Sequence, residues 1–559
     1  MSRDPAIRHP GAARVKRNGW LGRHGPFLLL VGFLFVLAFY VDWYLGAFTY
    51  ILLNSRLFFQ IFVGITVIAV LRNVVGIRGF GTFGPAIVAL AFLQAGLLYG
   101  TILLANILAI VIATRELVRR ELVQRDHRIA ILVILVGLSV VLLEILAEYF
   151  HYPRLDYSFL FPVLILAWTA ERYVESIDRV GWGGPSRQLL WTFVAILTAY
   201  AVMSQTWLVD PIILTPLSWP FLVLLNWFLG TRVRFRLSER RRFRGTIRDS
   251  GTPPEDVLTM NVRNRDFISK YNDRGLLATL AKDRVKELLA SYGVRTPPTH
   301  LVVAGLEDLH RLEGFLPTMD RFVLKPASGH GGEGILIVRG RRDGGFDTSH
   351  GPMSPAEIVA HARYVLTGAF GGGSSDRLLV EALVTPDPAL GKFVSEGLPD
   401  VRVIAFLGFP VMAVTRLPTR ESKGRANIHA GAVACGLEIA TGRIVRATWH
   451  GRPVKTHPDT GLPLLDVLIP RWFEVLEMAT QAQVCSGLGY AGVDLVFDAA
   501  RGPMVLEVNR RPGLEIQNAN GAGLLGRLRA IERVHSRGAV ADPVRAAMDL
   551  DIARWRVSA

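Results

Sequence analysis

The chain has 559 residues, long enough for several domains. Half of them are hydrophobic and the mean hydropathy is +0.33, which is unusual for a protein that is water-soluble throughout. The formal charge is +16, but the excess lies beside apolar runs and lacks interleaved aromatics, so membrane orientation explains it and nucleic acid is not an expected partner. Only Cys435 and Cys485 are present, which excludes a disulfide framework and a paired-cysteine metal site and suits a reduced compartment.

Residues 1–25 are a basic N-terminus with Arg3, Arg8, Arg14, Lys16, Arg17 and Arg23. The apolar run from Pro26 to about Tyr44 is long and ends in no small-residue cleavage site, which predicts an uncleaved anchor. Further apolar runs cover about 55–71, 82–114, 129–149, 156–170, 188–208 and 211–229. A span needs about 20 residues, so 82–114 is too long for one and short for two. Arg115, Arg119, Arg120, Arg125 and Arg128 make one basic loop, and eight arginines from Arg232 to Arg248 make a second. These loops and the N-terminus fall on one side only if 82–114 is a hairpin. The reading is therefore about eight hydrophobic segments, two of them short, with both ends cytoplasmic; seven segments is the alternative. Glu144, Glu148, Glu171 and Arg172 lie near segment ends and read as interfacial residues rather than a substrate path.

Residues 231–254 read as a basic juxtamembrane linker. Beyond it the chain alternates strands and helices. Lys282 to Tyr292 has helical period and is stopped by Val294-Arg-Thr-Pro-Pro298. Arg321–Pro326, Gly334–Gly340, Arg377–Val384, Val401–Leu407 and Val411–Arg416 read as strands, and Leu468–Leu488 as a helix.

Two stretches carry chemistry. Residues 321–338, RFVLKPASGHGGEGILIV, contain Gly329-His-Gly331-Gly332-Glu-Gly334. The literal GxGxxG is weak, because a dinucleotide fold needs strand, loop, then helix, and here the loop joins two strands. No Gly-Lys-Ser/Thr ends it and no kinase catalytic strings follow. What remains is a glycine hairpin whose backbone N–H groups suit phosphates, with Lys325 at its base; a plain glycine turn is the other reading. The second stretch, GVDLVFDAARGPMVLEVNRRPGLE from Gly492 to Glu515, reads as two strands joined at Asp498–Gly502. Centred on that turn, it places Asp494 opposite Glu507, with Asn509 on the same face as Glu507. Opposed carboxylates are destabilising without a cation between them, and hard oxygen ligands suit Mg²⁺, with Mn²⁺ as a substitute; a solvated hairpin with chance acids is the bland alternative.

From about Asn261 onward the chain resembles the ATP-grasp superfamily, and within it the alpha-L-glutamate ligase-like, sugar-transfer-associated family. NVRNRDFISKYNDR, AKDRVKELLASYGVRTPP, FVLKPASGHGGEGILIV, LPDVRVIAFLGFPVMAVTRLPT, RANIHAGAV and GYAGVDLVFDAARGPMVLEVNRRPGLEIQNANG carry the resemblance. It implies that Lys282 and Lys325 contact nucleotide phosphates, with Gly329, Gly331 and Gly332 covering them. It also implies that Glu381 lies where adenine and ribose bind, and that Asp494, Glu507 and Asn509 are the metal ligands. Arg402 and Arg416 match basic residues near the γ-phosphate and the acyl phosphate; Asn427 and His429 match a loop on the acceptor side. Ala281 stands where relatives often have Asp, and Lys286 is an alternative to Lys282. GTFGPAIVALAF, LYGTILL and FPVLILAWTAERY resemble the seven-transmembrane region found with inactive transglutaminase-like domains.

The expected architecture is an all-α polytopic membrane domain followed by an α+β ATP-grasp domain: 1–25 basic terminus, 26–230 membrane domain, 231–254 linker, 255–545 ATP-grasp domain, 546–559 tail. The implied activity is ATP-dependent carboxylate–amine ligation through an acyl phosphate, with ATP and Mg²⁺ as cofactors. The expected partners are small-molecule or peptide-like carboxylates and amines and the lipids of a bacterial inner membrane. Arg420, Lys423, Arg425, Arg510 and Arg511 would hold an acidic substrate or form a solvated basic face. The alternative function is an ATP-binding sensor that regulates a membrane transporter or scaffold.

Overall fold

The computed structural model describes residues 20–558 except 45–55, 121–124, 151–169, 171, 174–175, 178–181, 274, 276–281, 329–333, 343, 369–375 and 539. The chain divides into two compact units between Ser238 and Glu239.

The first unit is helical. Among the described residues, four helices are long and apolar enough to cross a membrane, within Gly25–Trp43, Arg56–Val75, Leu97–Thr114 and Gly183–Met203, or five if a bent pair at 206–242 counts as one span. The run 82–114 breaks as its length demands: helix Phe83–Ala95 ends at Gly96, and Leu97–Arg120 follows. Gly96 has φ +81°, a conformation glycine adopts without strain. Phe92 on one leg and Leu103 and Ile107 on the other enter a shared core with Val63, Ala195, Ala199 and Met203. Polar pairs join helices across this apolar packing: Asn106 donates to Ser139 at 2.9 Å, Asn226 to Thr66 at 2.9 Å, and Gln60 to the Met203 carbonyl at 3.3 Å. Leu29, Phe33, Val36, Leu138, Leu142 and Ile145 are exposed, as lipid-facing side chains are. Glu144, Glu148 and Arg172 are also exposed.

One expected segment is corrected. The run 211–229 is not a single helix: Thr206–Leu214 and Ser218–Arg232 belong to a pair bent by 113°. Pro211 and Pro216 lie in the first helix and the break, and Pro216 lacks the N–H that a continuous helix needs. The expected segment 156–170 lies outside the described residues except for Ala170.

The second unit is built on two antiparallel sheets. Strands β1 (Thr299–Val303), β2 (Phe322–Pro326), β3 (Leu336–Arg342), β4 (Gly345–Thr348), β5 (Gly351–Met353) and β6 (Leu378–Ala382) form a six-stranded sheet in the order β1-β6-β2-β3-β4-β5. Its core faces helices Leu309–Phe315 and Pro355–Leu366. The latter starts at a capping box, in which Ser354 and Glu357 satisfy each other's backbone N–H groups. Strands β7 (Asp400–Phe406), β8 (Phe409–Leu417), β9 (Val433–Leu437), β10 (Ile444–Trp449), β11 (Arg452–Pro453), β12 (Tyr490–Asp498) and β13 (Gly502–Asn509) form the second sheet, ordered β11-β10-β9-β8-β7-β12-β13. Helix Trp472–Cys485 packs under it, and Val285 and Leu289 of helix Lys282–Ser291 join the same core.

Two stretches at the edges of the second unit are helical. The tail set at 546–559 is the greater part of a helix, Pro543–Ser558, whose Val544 and Met548 pack on the second sheet's core. The linker set at 231–254 holds helix Leu237–Arg242 and a helical turn at Gly245–Asp249, and its part from Glu239 onward packs with the second unit. Its arginines disguise it as a solvated run, although Phe243 is fully buried.

Candidate functional site

β12 is buried along its whole length, yet carries Asp494 in its middle. Asp494 pairs with Arg402 of β7 on one side and Glu507 of β13 on the other, so three charged side chains form a row across three strands. The hairpin alone would not do this. Counting back from Asp498 opposite Gly502, a regular ladder would put Leu506 opposite Asp494; a bulge between Leu495 and Asp494 shifts the register and puts Glu507 there.

Arg402 holds Asp494 with two parallel bonds, Nε to Oδ1 and Nη2 to Oδ2, both 2.6 Å. Arg416 of β8 reaches the same carboxylate, Nη2 to Oδ2 at 2.9 Å, and holds Asp400 through Nε at 2.7 Å and through Nη2. Asn509 donates Nδ2 to Asp494 Oδ2 at 2.9 Å. Asp494, Asp400 and Arg416 are buried, whereas Arg402, Glu507 and Asn509 are half-buried. Burial alone would raise Asp494, but the guanidiniums of Arg402 and Arg416 outweigh it and hold the carboxyl below the usual range. Asp400 goes the other way: burial, with the charge of Asp494 nearby, exceeds the pull of Arg416. Asp494 and Asp400 are thus each paired with a guanidinium, and Glu507 stands beside Asp494 on the next strand.

Among the described residues no three His, Cys, Asp or Glu side chains come together as a metal set. The set available is two carboxylates and an amide oxygen: Asp494, Glu507 and Asn509. It fits Mg²⁺, which takes few protein oxygens and keeps water and phosphate as its other ligands.

A second cluster, of opposite sign, lies on the six-stranded sheet. Glu381 of β6 pairs with Val323, beside Lys325 on β2. Lys325 Nζ is 2.7 Å from Glu381 Oε1, and Lys286 Nζ contacts the same oxygen and donates to the Pro297 carbonyl at 3.1 Å. All three are buried. Burial and the like charge of Lys325 lower the Lys286 ammonium to about 7 in spite of Glu381. One carboxylate is shared by two lysines, an arrangement that favours a further anion.

The two sheets are tied where the chain passes from one to the other. Beyond β6, Thr385 N donates to Asp498 Oδ2 at 3.0 Å, Ala499 N to the Thr385 carbonyl at 2.9 Å, and Asp387 N to the Phe497 carbonyl at 2.9 Å. Asp498 Oδ1 also accepts from Ala500 and Arg501. Burial raises Asp498, but the backbone N–H groups of Thr385, Arg501 and Ala500 more than offset it and leave the carboxyl lowered.

Of the expected site residues, the structure brings Asp494, Glu507, Asn509, Arg402 and Arg416 together, and separately Lys325 with Glu381. Lys282 opens its helix at the expected place, but its side chain lies outside the described residues, as do Gly329, Gly331 and Gly332. Asn427 caps the turn Ile428–Ala430 by accepting from His429 N. Arg420, Lys423, Arg425 and Arg511 are exposed and Arg510 half-exposed. Asp400 and Asp498 were missed: Asp400 shares a face with Arg402 two residues on, but nothing local shows that Arg416 stands across from it. Lys286, considered only as a substitute, had a signal in its spacing, four residues after Lys282 on one helix face.

Both halves of the chain resemble known proteins. Residues 262–533 match the family model described as sugar-transfer associated ATP-grasp, and residues 53–247 match the one described as 7 transmembrane helices usually fused to an inactive transglutaminase. The chain is 25% identical over 312 residues to the protein named "Probable alpha-L-glutamate ligase" of Serratia proteamaculans (strain 568), covering 55% of this chain and 81% of that one. It is 26% identical over 276 residues to the ribosomal protein bS6–L-glutamate ligase of Salmonella newport (strain SL254), covering 48% and 70%. Among solved structures, the ATP-grasp ligase PsnB complexed with minimal precursor is 17% identical with a TM-score of 0.25; the match covers 50% of this chain and 64% of that one.

Proposed function

From the premise of a sugar-transfer-associated ATP-grasp domain joined to a region that matches the 7-transmembrane-helix family model, we propose that this chain is a membrane-anchored ligase that joins a carboxylate to an amine at the expense of ATP. The carboxylate oxygen attacks the γ-phosphorus, ADP leaves, and the amine then displaces phosphate from the acyl phosphate, losing a proton as the amide forms. The observation that carries this reading is the row Glu507–Asp494–Arg402 with Arg416 behind it.

Phosphoryl transfer needs positioning and charge neutralisation more than covalent help from the protein. Asp494, Glu507 and Asn509 would hold Mg²⁺, which when bound neutralises charge on the phosphates. Lys325 and Lys286 turn from Glu381 to phosphate oxygens, and Lys282 joins them from the helix start. Glu381, released, accepts from the adenine or ribose. Arg402 moves from Asp494 to the transferring phosphoryl group, and Arg416 stays as the buried counter-ion of Asp400 and steers the acyl phosphate. The exposed arginines and Lys423 suit an acidic substrate. The names of the curated relatives support an amino acid such as glutamate as the amine, and the family description supports a polysaccharide- or envelope-related carboxylate. The basic loops support a cytoplasmic site at a bacterial inner membrane.

Glu507 is the residue to test. Removing Arg416 would strand two buried carboxylates at a cost of about 3–5 kcal/mol and confound folding with function, whereas Glu507 is half-buried. The full chain in lipid nanodiscs, given Mg²⁺-ATP with pooled amino acids and small carboxylates, should release ADP in a substrate-dependent way. Glu507→Gln should bring that release to background with the melting temperature kept. Full activity in the folded variant would remove the metal assignment.

A further inference from the structure

The segment that leaves the membrane domain does more than connect. Glu239, buried, accepts from Met260 N at 2.7 Å. Arg242 Nε lies 2.5 Å from Glu515 Oε1, with both side chains mostly buried, and the Arg242 carbonyl accepts from Asn518 Nδ2 at 3.2 Å. Asn518 also donates to Glu515 Oε2 at 2.6 Å and accepts from Thr246 at 2.6 Å. Gln517, fully buried, bonds both the N–H and the carbonyl of Leu258, at 2.8 and 3.0 Å. Arg263, also buried, donates Nη1 to the Pro512 carbonyl at 2.7 Å.

These bonds converge on Arg510–Asn520, the stretch that follows Asn509. Pro512 folds back over β12 so closely that a Cβ on Gly492 would lie 2.6 Å from its ring, and Gly492 is the residue paired with Asn509. The stretch that follows β13 is thus held between its partner strand and two arginines, Arg242 of the juxtamembrane segment and Arg263 just beyond it.

We infer that Arg242 and Arg263 are positioning residues that fix Arg510–Glu515, and through it Asn509 and Glu507. This rests on the ligase reading for its purpose but not for its geometry. Neither arginine touches the reacting atoms. Each supports the backbone that sets where the ligand oxygens lie, as partners behind a metal ligand commonly do. The site therefore depends in part on Arg242, which lies within the stretch that matches the membrane-domain family model.

The test uses the full chain in nanodiscs with Arg242→Met, Glu515→Gln, Arg263→Lys, and the reversed pair Arg242→Glu with Glu515→Arg. Amide hydrogen exchange across 510–520 reports the support. Mn²⁺ binding in the presence of ATP, followed by electron paramagnetic resonance, reports the site without turnover. The expected result is faster exchange at 510–520 and about tenfold weaker Mn²⁺ binding in Arg242→Met and Glu515→Gln, the low end for losses behind a metal ligand. Arg263→Lys, which keeps a donor for Pro512, should show a smaller loss, and the reversed pair should recover both readouts. Faster exchange with unchanged Mn²⁺ affinity, or no change in exchange, overturns the inference. These Mn²⁺ losses in the variants, together with a wild-type protein that releases no ADP, contradict the ligase reading and uphold this one.

Discussion

Lys286 is the residue whose surroundings say most about its work. Its neighbours are a second lysine and one shared carboxylate, all removed from water. Lowered to about 7, it is largely neutral at pH 8 in the free protein, and a polyphosphate arriving beside it favours the charged form again. ATP binding at pH 8 should therefore take up close to one proton, and at pH 6 almost none. Calorimetry in two buffers of different ionisation enthalpy measures this directly, and Lys286→Met should abolish the difference. Equal proton uptake in wild type and Lys286→Met would show that another group titrates. The same shift has a sign for stability. A lysine whose folded pKa lies below its unfolded value destabilises the fold fully below pH 7, and the penalty fades as pH rises from there towards the ordinary lysine range.

At the scale of elements, the hairpin and its junction decide the site. Asp498 accepts from Thr385, Ala500 and Arg501 and so fastens the passage between the two sheets to the turn of the β12–β13 hairpin. Asp498→Ala leaves those backbone donors without their acceptor and should cost about 1–3 kcal/mol at pH 7, read by denaturant unfolding. Because the folded pKa is lowered, this contribution is complete above the unfolded carboxyl pKa and is lost as pH falls through the folded one. The gap between wild type and variant should close in acid, and a gap that persisted there would mean that packing rather than charge holds the junction. The sequence showed much of this level. The strands flanking the glycine loop, the two halves of the hairpin and the helix before it stood out because apolar period and turn residues agree there. It did not show the bulge that aligns Asp494 with Glu507, since register depends on the neighbouring strand as well as the turn. Nor did it show short or edge strands such as Gly351–Met353 and Arg452–Pro453, which carry too few residues for a period. Asp400, Arg242 and Arg263 were invisible as site residues because their partners are distant in the chain.

For the whole molecule, the membrane domain was legible as apolar mass and less so as geometry. The break of 82–114 at Gly96 was legible in the length of that run, while the bent pair at 206–232 hid inside a run of adequate length. The charge pattern predicts that Gln205, between two membrane helices, faces outward and that Arg240 faces the cytoplasm. A membrane-impermeant maleimide applied to intact cells should label Gln205→Cys and spare Arg240→Cys until the membrane is opened. The reverse pattern would put the ATP-grasp domain outside, away from ATP, and would contradict the proposed role.

The central claim is that the Glu507–Asp494–Arg402 row serves activation of a carboxylate by phosphoryl transfer. The most direct test is to supply the full chain with ATP, an amine pool and ¹⁸O-labelled carboxylates, and to weigh the inorganic phosphate released. An acyl phosphate hands one carboxylate oxygen to phosphate, so the account predicts phosphate carrying a single ¹⁸O alongside ADP, lost in Glu507→Gln. Unlabelled phosphate accompanying ADP release, or AMP as the product, would contradict it.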